Sequence, residues 1–296
     1  MLSAFSFQDD NDSTSTQYFF QAYFTESKEN AYKNIKKYIH YNPTDTRARL
    51  FYSNLYFNEE KWINAIFQYQ QILWIDSLDV NAQLGNAISL FNLEEYVDAI
   101  DGFNNILKID PYNHTSFYYL GLSYLSIKNY NNAIQNFTQS LLLDPNNSNI
   151  YFNLGKAYFE NGKIIQSREA FTRAIGLDPE YGAAFYYQGI INENIMEIDN
   201  AIYSYNQAIE FSPSIENTYY RLGMLLYRTG NLKEAMEPLR KFIIFEPDSL
   251  HVLESLGDIF IQENRYPEAI DTYQRLITFY PEKLDYNLNL AKSFWQ

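Results

Sequence analysis

Cysteine is absent from the 296 residues. That excludes disulfide staples, thiolate metal sites and lipid attachment through sulfur, and it leaves the redox compartment unmarked. Histidine is nearly as scarce. His40, His114 and His251 stand far apart along the chain and do not make one ligand set, so no metal is expected. Basic residues are outnumbered, 22 Lys and Arg against 36 Asp and Glu, giving a formal net charge of −14. A surface of that sign does not neutralise phosphates, which argues against nucleic acid and for a neutral or mildly basic protein partner. No run approaches the roughly 18 apolar residues that a membrane span needs. Met1–Phe7 is apolar but short, and it lacks the basic flank of a signal peptide. The expected compartment is the cytoplasm, with the periplasm as the alternative if a signal segment has been removed. Glycine numbers only 11, and no glycine-rich loop is placed to cradle a phosphate. The stretch Gly121–Leu125 lacks the second glycine of a nucleophile elbow. No pair of carboxylates is set apart by spacing as an acid and a base. Neither catalytic residues nor a cofactor are expected.

What the chain has is aromatics, 28 Tyr and 22 Phe, and punctuation. Pro111, Pro145, Pro179, Pro213, Pro247 and Pro281 follow one another at a constant 34 residues, and Pro43 lies two periods before Pro111. Ser77 alone interrupts the series. Proline does not continue a helix, so each marks the end of a unit, and a fixed period of this size means stacked supersecondary units. Within a unit, Phe117, Leu120, Gly121 and Tyr124 lie three and four apart, one face of a helix. Tyr130, Ala133, Ile134, Phe137 and Leu141 form a second stripe. Between the two stand Lys128-Asn129, Asn161-Gly162 and Thr229-Gly230, residues suited to the left-handed backbone that reverses a chain. Each unit therefore reads as an antiparallel helical hairpin. The small residues let the two backbones approach, and the aromatic four places after the alanine is expected to fill the gap toward the next unit.

The pattern aromatic-x2-Leu-Gly-x2-Tyr, Ala-x3-Phe, Pro resembles the tetratricopeptide repeat. Its glycine recurs at Gly121, Gly155, Gly189, Gly223 and Gly257, and its alanine at Ala99, Ala133, Ala201, Ala235 and Ala269, with Ala31 and Ala65 earlier. Units fall at 12–45, 46–79, 80–113, 114–147, 148–181, 182–215, 216–249 and 250–283, with a half unit at 284–296. Residues 1–11 read as a disordered lead-in. The first unit fits least, with Phe19 at the glycine place, while Ser53 and Ala87 keep that place small in the next two. The resemblance implies an all-α protein, an α-α superhelix: a right-handed solenoid of antiparallel helix pairs. It also implies a non-catalytic scaffold that binds a peptide or helix of a partner protein in its concave groove. The alternative is the recognition or assembly arm of a larger enzyme or machine.

In such arrays the first helices line the groove. The residue after each first aromatic turns about 100° from the hairpin seam. Those residues are Tyr118, Phe152, Tyr186 and Tyr220, expected as a ladder of rings for a partner segment. Their neighbours Arg47, Tyr119, Tyr187, Asn54, Asn153, Lys156, Arg221 and Met224 complete the candidate groove, and the stripe turns acidic at Glu254 and Asp258. Leu50, Leu84, Tyr118 and Phe152 stand where some members place groove lysines, so a clamp for a terminal carboxylate is not expected. Two prolines test the helix boundaries. Pro267 falls in a first turn, where its missing N–H costs little, and Pro238 falls deeper, where a kink or bulge is expected. At the far end, Phe294 and Trp295 either pack back onto 250–283, or the natural chain continues or self-associates through that end.

Overall fold

The structure, a computed structural model, describes residues 13–25 and 27–295. The expected lead-in at 1–11 lies outside them. The described residues form seventeen helices and no strand, divided between two compact units that meet at Asn146 and Asn147. The first unit holds α1 (Ser13–Tyr23), α2 (Lys28–Tyr41), α3 (Thr46–Asn58), α4 (Trp62–Ile75), α5 (Val80–Asn92), α6 (Tyr96–Ile109), α7 (His114–Ser126) and α8 (Tyr130–Leu143). The second holds α9 (Ser148–Glu160), α10 (Ile164–Leu177), α11 (Gly182–Asn194), α12 (Ile198–Phe211), α13 (Glu216–Arg228), α14 (Leu232–Phe245), α15 (Leu250–Gln262), α16 (Tyr266–Phe279) and α17 (Leu284–Trp295). Odd helices pack on the even helices that follow them, and within each unit every pair packs on the next.

Local sequence sets the boundaries. Asp45, Asp79, Asn113 and Asn147, again 34 apart, cap odd helices: their side chains accept from backbone N–H groups of the first turn at 2.9–3.2 Å. These bonds satisfy amides that have no intrahelical partner. The reversals inside the pairs carry a left-handed residue at a constant place: Glu60, Glu94, Lys128, Gly162, Met196, Gly230 and Asn264. In the 114–147 unit it is therefore Lys128, not Asn129, that takes φ 61°.

The helix pairs are joined at a seam of small residues. A Cβ built on Gly121 would lie 2.5 Å from the Phe137 ring, and one on Gly155 would lie 2.7 Å from Phe171. The aromatic thus sits over the glycine of its own pair, a contact the sequence reading did not include. It also fills the gap toward the next unit: Tyr187 of α11 stacks on Phe171 at 5.1 Å, and Tyr119 of α7 on Phe103 at 5.5 Å. Ala65, Ala99, Ala133, Ala201, Ala235 and Ala269 are all buried on the opposite side of the seam. Ser167 replaces alanine in α10, and its buried hydroxyl donates across the seam to the carbonyl of Gly155 at 2.9 Å. Pro267 lies in the first turn of α16. Of the kink or bulge expected at Pro238, no bulge occurs: α14 is α-helical through it. The buried proline ring leaves only the carbonyl of Glu234, an exposed residue of the first turn, without its usual donor.

Candidate functional site

The outward face of the odd helices in the second unit carries two adjoining cavities. On α13, Asn217, Tyr220, Arg221, Met224 and Arg228 follow i, i+3, i+4, i+7 and i+11, a single helix face. With Tyr186 and Glu193 of α11 they line a cavity of about 340 Å³. On α15, His251, Glu254, Ser255 and Asp258 repeat the same spacing. With Tyr220, Met224 and Tyr227 of α13, Tyr273 of α16, and Lys283, Asp285, Tyr286 and Asn289 at the start of and along α17, they line a second cavity of about 400 Å³. Tyr220 and Met224 border both, so the cavities form one trough across successive odd helices. Each is large enough for a few side chains of a bound segment.

Carboxylates paired with tyrosine hydroxyls make its polar floor. Glu193 accepts from Tyr205 at 2.7 Å, from Arg221 at 3.2 Å and from Arg228. Burial alone would raise its pKa, but the Tyr205 hydroxyl and the two guanidiniums outweigh that and hold the carboxyl below its ordinary value. Burial and the same carboxylate push the Tyr205 phenol well above its own. Asp258 accepts from Tyr273 at 2.9 Å and Tyr227 at 3.1 Å, and Asn289 donates to the Tyr273 oxygen at 3.2 Å. Glu254 accepts from Tyr286 and from Lys283 at 3.2 Å; burial raises it, and these two donors bring it below the usual carboxylate range. The trough is therefore cationic beside α11 and acidic beside α15 and α17.

Of the residues expected in the groove, Tyr186, Tyr220, Arg221 and Met224 come together here. The rings stand half-buried, each leaning on the second helix of its own pair: Tyr186 on Tyr205 at 6.4 Å and Tyr220 on Phe242 at 5.2 Å. Phe152 leans likewise on Phe171 at 5.8 Å and on Tyr181 at 4.9 Å, with the Lys156 ammonium 5.7 Å from its ring centre. Asn153 donates to the carbonyl of Asn149 at 2.9 Å. In the first unit Tyr118 lies 6.1 Å from Phe137, and Asn54 accepts from Tyr69 at 2.7 Å. Tyr119 and Tyr187 fill the seams between pairs, where they pack against rings of the preceding unit.

Sequence reasoning passed over Glu193, Arg228, Tyr227 and Tyr286. A signal was available in part. The seam aromatic is Phe at 103, 137 and 171 but Tyr at 69, 205 and 273, and a buried phenol needs an acceptor on the facing helix. Asn54 and Asp258, which occupy the same place in their units, and Glu193 are those acceptors. Among the described residues no group of three or more His, Cys, Asp or Glu side chains is arranged to hold a metal ion.

Comparison with known families bears on the helix pairs directly. A family profile described as "TPR repeat" matches residues 121–162 and 197–240, and one described as "Tetratricopeptide repeat" matches 152–214 and 220–283. Together they run without a gap from 121 to 283. The chain is a tetratricopeptide repeat protein. Solved structures agree with that assignment. The crystal structure of MamA is 27% identical over 54% of this chain and 94% of its own, with a TM-score of 0.51. YrrB, described as a TPR protein with an unusual peptide-binding site, is 21% identical over 63% of this chain and 96% of its own, at a TM-score of 0.53. The C-terminal part of a TPR repeat-containing protein from Cytophaga hutchinsonii is 14% identical over 81% and 99%, at 0.66. The last two share the fold alone. Comparison with curated proteins found no significant match. As a tetratricopeptide repeat protein the chain is built for interaction with other proteins, and no helix among its described residues is long and apolar enough to cross a membrane.

Proposed function

We propose that this protein is a scaffold that holds an extended segment of a partner protein in the trough of its second unit, across α11, α13 and α15. One observation carries the reading. Two cavities that share Tyr220 and Met224 are lined by the same helix face repeated in successive pairs. An array of this kind offers a bound chain a side-chain pocket at each step. The charges choose the segment. An apolar or aromatic residue rests on Tyr220 and Met224, a carboxylate or polar group points toward Arg221 and Arg228, and a Lys or Arg reaches Glu254, Asp258 and Asp285. YrrB, similar in fold, is described as having a peptide-binding site, which fits the same use of the fold.

The test is a peptide-display selection on the purified chain, followed by titration of a selected peptide. Tyr220→Ala removes the ring that both cavities share, and truncating an aromatic anchor costs about 2 kcal/mol or more, a loss of roughly 30-fold in affinity. Tyr220 is half-buried, so circular dichroism of the variant checks that the helices remain. Selected peptides lacking a basic residue, or a peptide bound equally by Tyr220→Ala, would refute the proposed mode.

A further inference from the structure

One helix of the first unit is apolar on a side that the repeat leaves to solvent. In α4, Ala65, Tyr69 and Ile72 are buried. On the opposite side Ile63, Phe67, Gln70 and Trp74 lie four, three and four residues apart, a single outward stripe. Ile63 is 71% exposed, Phe67 58% and Trp74 87%. The other even helices supply the comparison. At the place of Phe67 they carry Lys, Asp, Gln, Glu or Tyr, among them Asp101, Glu169 and Glu237, and all are exposed. The places of Ile63 and Trp74 are exposed in every even helix as well, and only α4 is apolar at all three. No neighbouring repeat therefore covers this side. Phe294 and Trp295 differ: they are exposed and do not pack back onto 250–283, but their places one repeat earlier, Phe260 and Ile261, are packed into the core. A helix apolar on two opposite sides carries more than its own scaffold uses.

We propose that the α4 stripe docks an amphipathic helix of a partner protein, acidic along the flank toward α2 and basic along the flank toward α6. The spacing selects a helix. Steps of four, three and four are those of a seam between two packed helices, which accepts side chains at the same steps from the helix laid on it. Ile63 to Trp74 spans about 17 Å, so roughly three turns of the partner are held. The charges select its flanks. α4 holds no charged residue, so these come from the even helices on either side. α2 runs alongside: Lys28 pairs with Glu59 at 3.8 Å, and the Lys61 ammonium lies 5.7 Å from the centre of the Tyr32 ring. The outward side of α2 presents Lys33 and Lys36, both exposed, with Glu29 in its first turn. The outward side of α6 presents Asp101 and, beside it, Asp98, both exposed, with Lys108 in its last turn. A helix with carboxylates over α2 and cationic groups over α6 is matched on both flanks, whereas one with a single sign of charge is opposed on one of them. The stripe shares no residue with the trough of the second unit, so this site is separate from the one that holds an extended segment.

The test uses the full chain and labelled helical peptides of about 21 residues with Leu at the seam positions, each held helical by a side-chain bridge and used below its own association concentration. One peptide carries Glu on one flank and Lys on the other, the second Lys on both, the third Glu on both. Fluorescence anisotropy at about 0.15 M salt should rank the mixed peptide first, by roughly threefold or more over either of the others. Phe67→Glu and Trp74→Ala should each weaken it at least about tenfold, with circular dichroism unchanged because both residues are exposed, and Tyr220→Ala should leave it unaltered. Lys33→Glu combined with Lys36→Glu turns both flanks acidic, and the peptide with Lys on both flanks should then bind best. No binding of any peptide up to about 200 µM, binding indifferent to Phe67→Glu and Trp74→Ala, or binding lost in Tyr220→Ala overturns the site. An order of peptides unchanged by the two lysine exchanges overturns the assignment of the flanks. A parent chain that dimerises through Phe67 in sedimentation velocity, or floats with phosphatidylserine vesicles through it, gives the stripe to a second copy or a lipid surface and overturns the proposal as well.

Discussion

The seam between α7 and α8 allows a quantitative test of what holds each helix pair together. Phe137 is fully buried, and a Cβ added at Gly121 would lie 2.5 Å from its ring. Ordinary contact needs about 1 Å more, and a buried ring has nowhere to move. Gly121→Ala should therefore cost about 1–3 kcal/mol in overpacking, offset by about 1 kcal/mol of gained helix propensity. Phe137→Ala should cost about 3–5 kcal/mol, because it removes the ring and leaves a cavity. The double variant is the informative one. With the ring gone, the new methyl group enters empty space and fills part of it. The double variant should then be no less stable than Phe137→Ala, and about 1 kcal/mol more stable if the propensity gain is realised. That is a favourable coupling of about 2 kcal/mol between the two sites. Urea unfolding by circular dichroism gives the totals. Hydrogen exchange of the α7 and α8 amides gives the local cost, which matters because repeat arrays need not unfold in one step. Two penalties that simply add would show that the glycine is not there for the ring. The chain itself holds a comparison. Where the glycine place carries Ala87, the facing helix carries Gly102, and a Cβ there would meet the Cβ of Ala87 at 3.0 Å. The small residue has changed helix and the spacing is kept.

Two further outcomes follow from local geometry. Met196 holds a left-handed φ of 62° with its side chain 79% exposed. Relief of a strain of about 1–2 kcal/mol, less the added freedom of the unfolded chain, makes Met196→Gly more stable by about 0.5–1 kcal/mol; a thermal melt that does not rise contradicts this. Glu193 has a folded pKa below its unfolded value of about 4.3, so its contribution is present above that value and is lost as pH falls through the folded one. Glu193→Gln should be about 1–2 kcal/mol less stable than the parent at neutral pH. That gap should close between about pH 5 and pH 3, and a gap constant over the range would remove the carboxylate from the account.

The helix pairs could be read in the sequence because they rest on residues with one physical meaning. Proline ends a helix, Asp or Asn caps one, and glycine admits a close approach, and all three recur in step. The left-handed reversals were half visible: Gly162 and Gly230 announce themselves, whereas Glu60, Glu94 and Met196 have no side-chain preference for that backbone and are held there by the helices on either side. The candidate groove was legible only in outline. Tyr118 and Tyr119 are neighbours of one type, yet Tyr118 leans on Phe137 while Tyr119 stacks on Phe103 of the preceding pair. Only the crossing of the helices separates them. Glu193 escaped because its role depends on Tyr205, twelve places on, and on Arg221 and Arg228 in the next pair. No local pattern joins those four.

The division of labour along one helix explains why the scaffold is regular and the trough is not. On α13, Leu222, Gly223, Leu225 and Leu226 are buried in the seam, and each is fixed in size by a neighbour already packed against it. Tyr220, Arg221, Met224 and Arg228 occupy the turns between them and face the trough, half-buried or exposed, where their size is less closely fixed. The same place that is Tyr186 and Tyr220 becomes Glu254 and then Leu288 in later helices, while its seam neighbour stays small as Gly189, Gly223, Gly257 and Ala291. The seam therefore sets how close the helices come, and the outward place is free to be aromatic, acidic or aliphatic. In the second unit that freedom places rings and guanidiniums beside carboxylates within one trough, and it leaves exposed apolar side chains on α17, the one odd helix that no following described helix packs against.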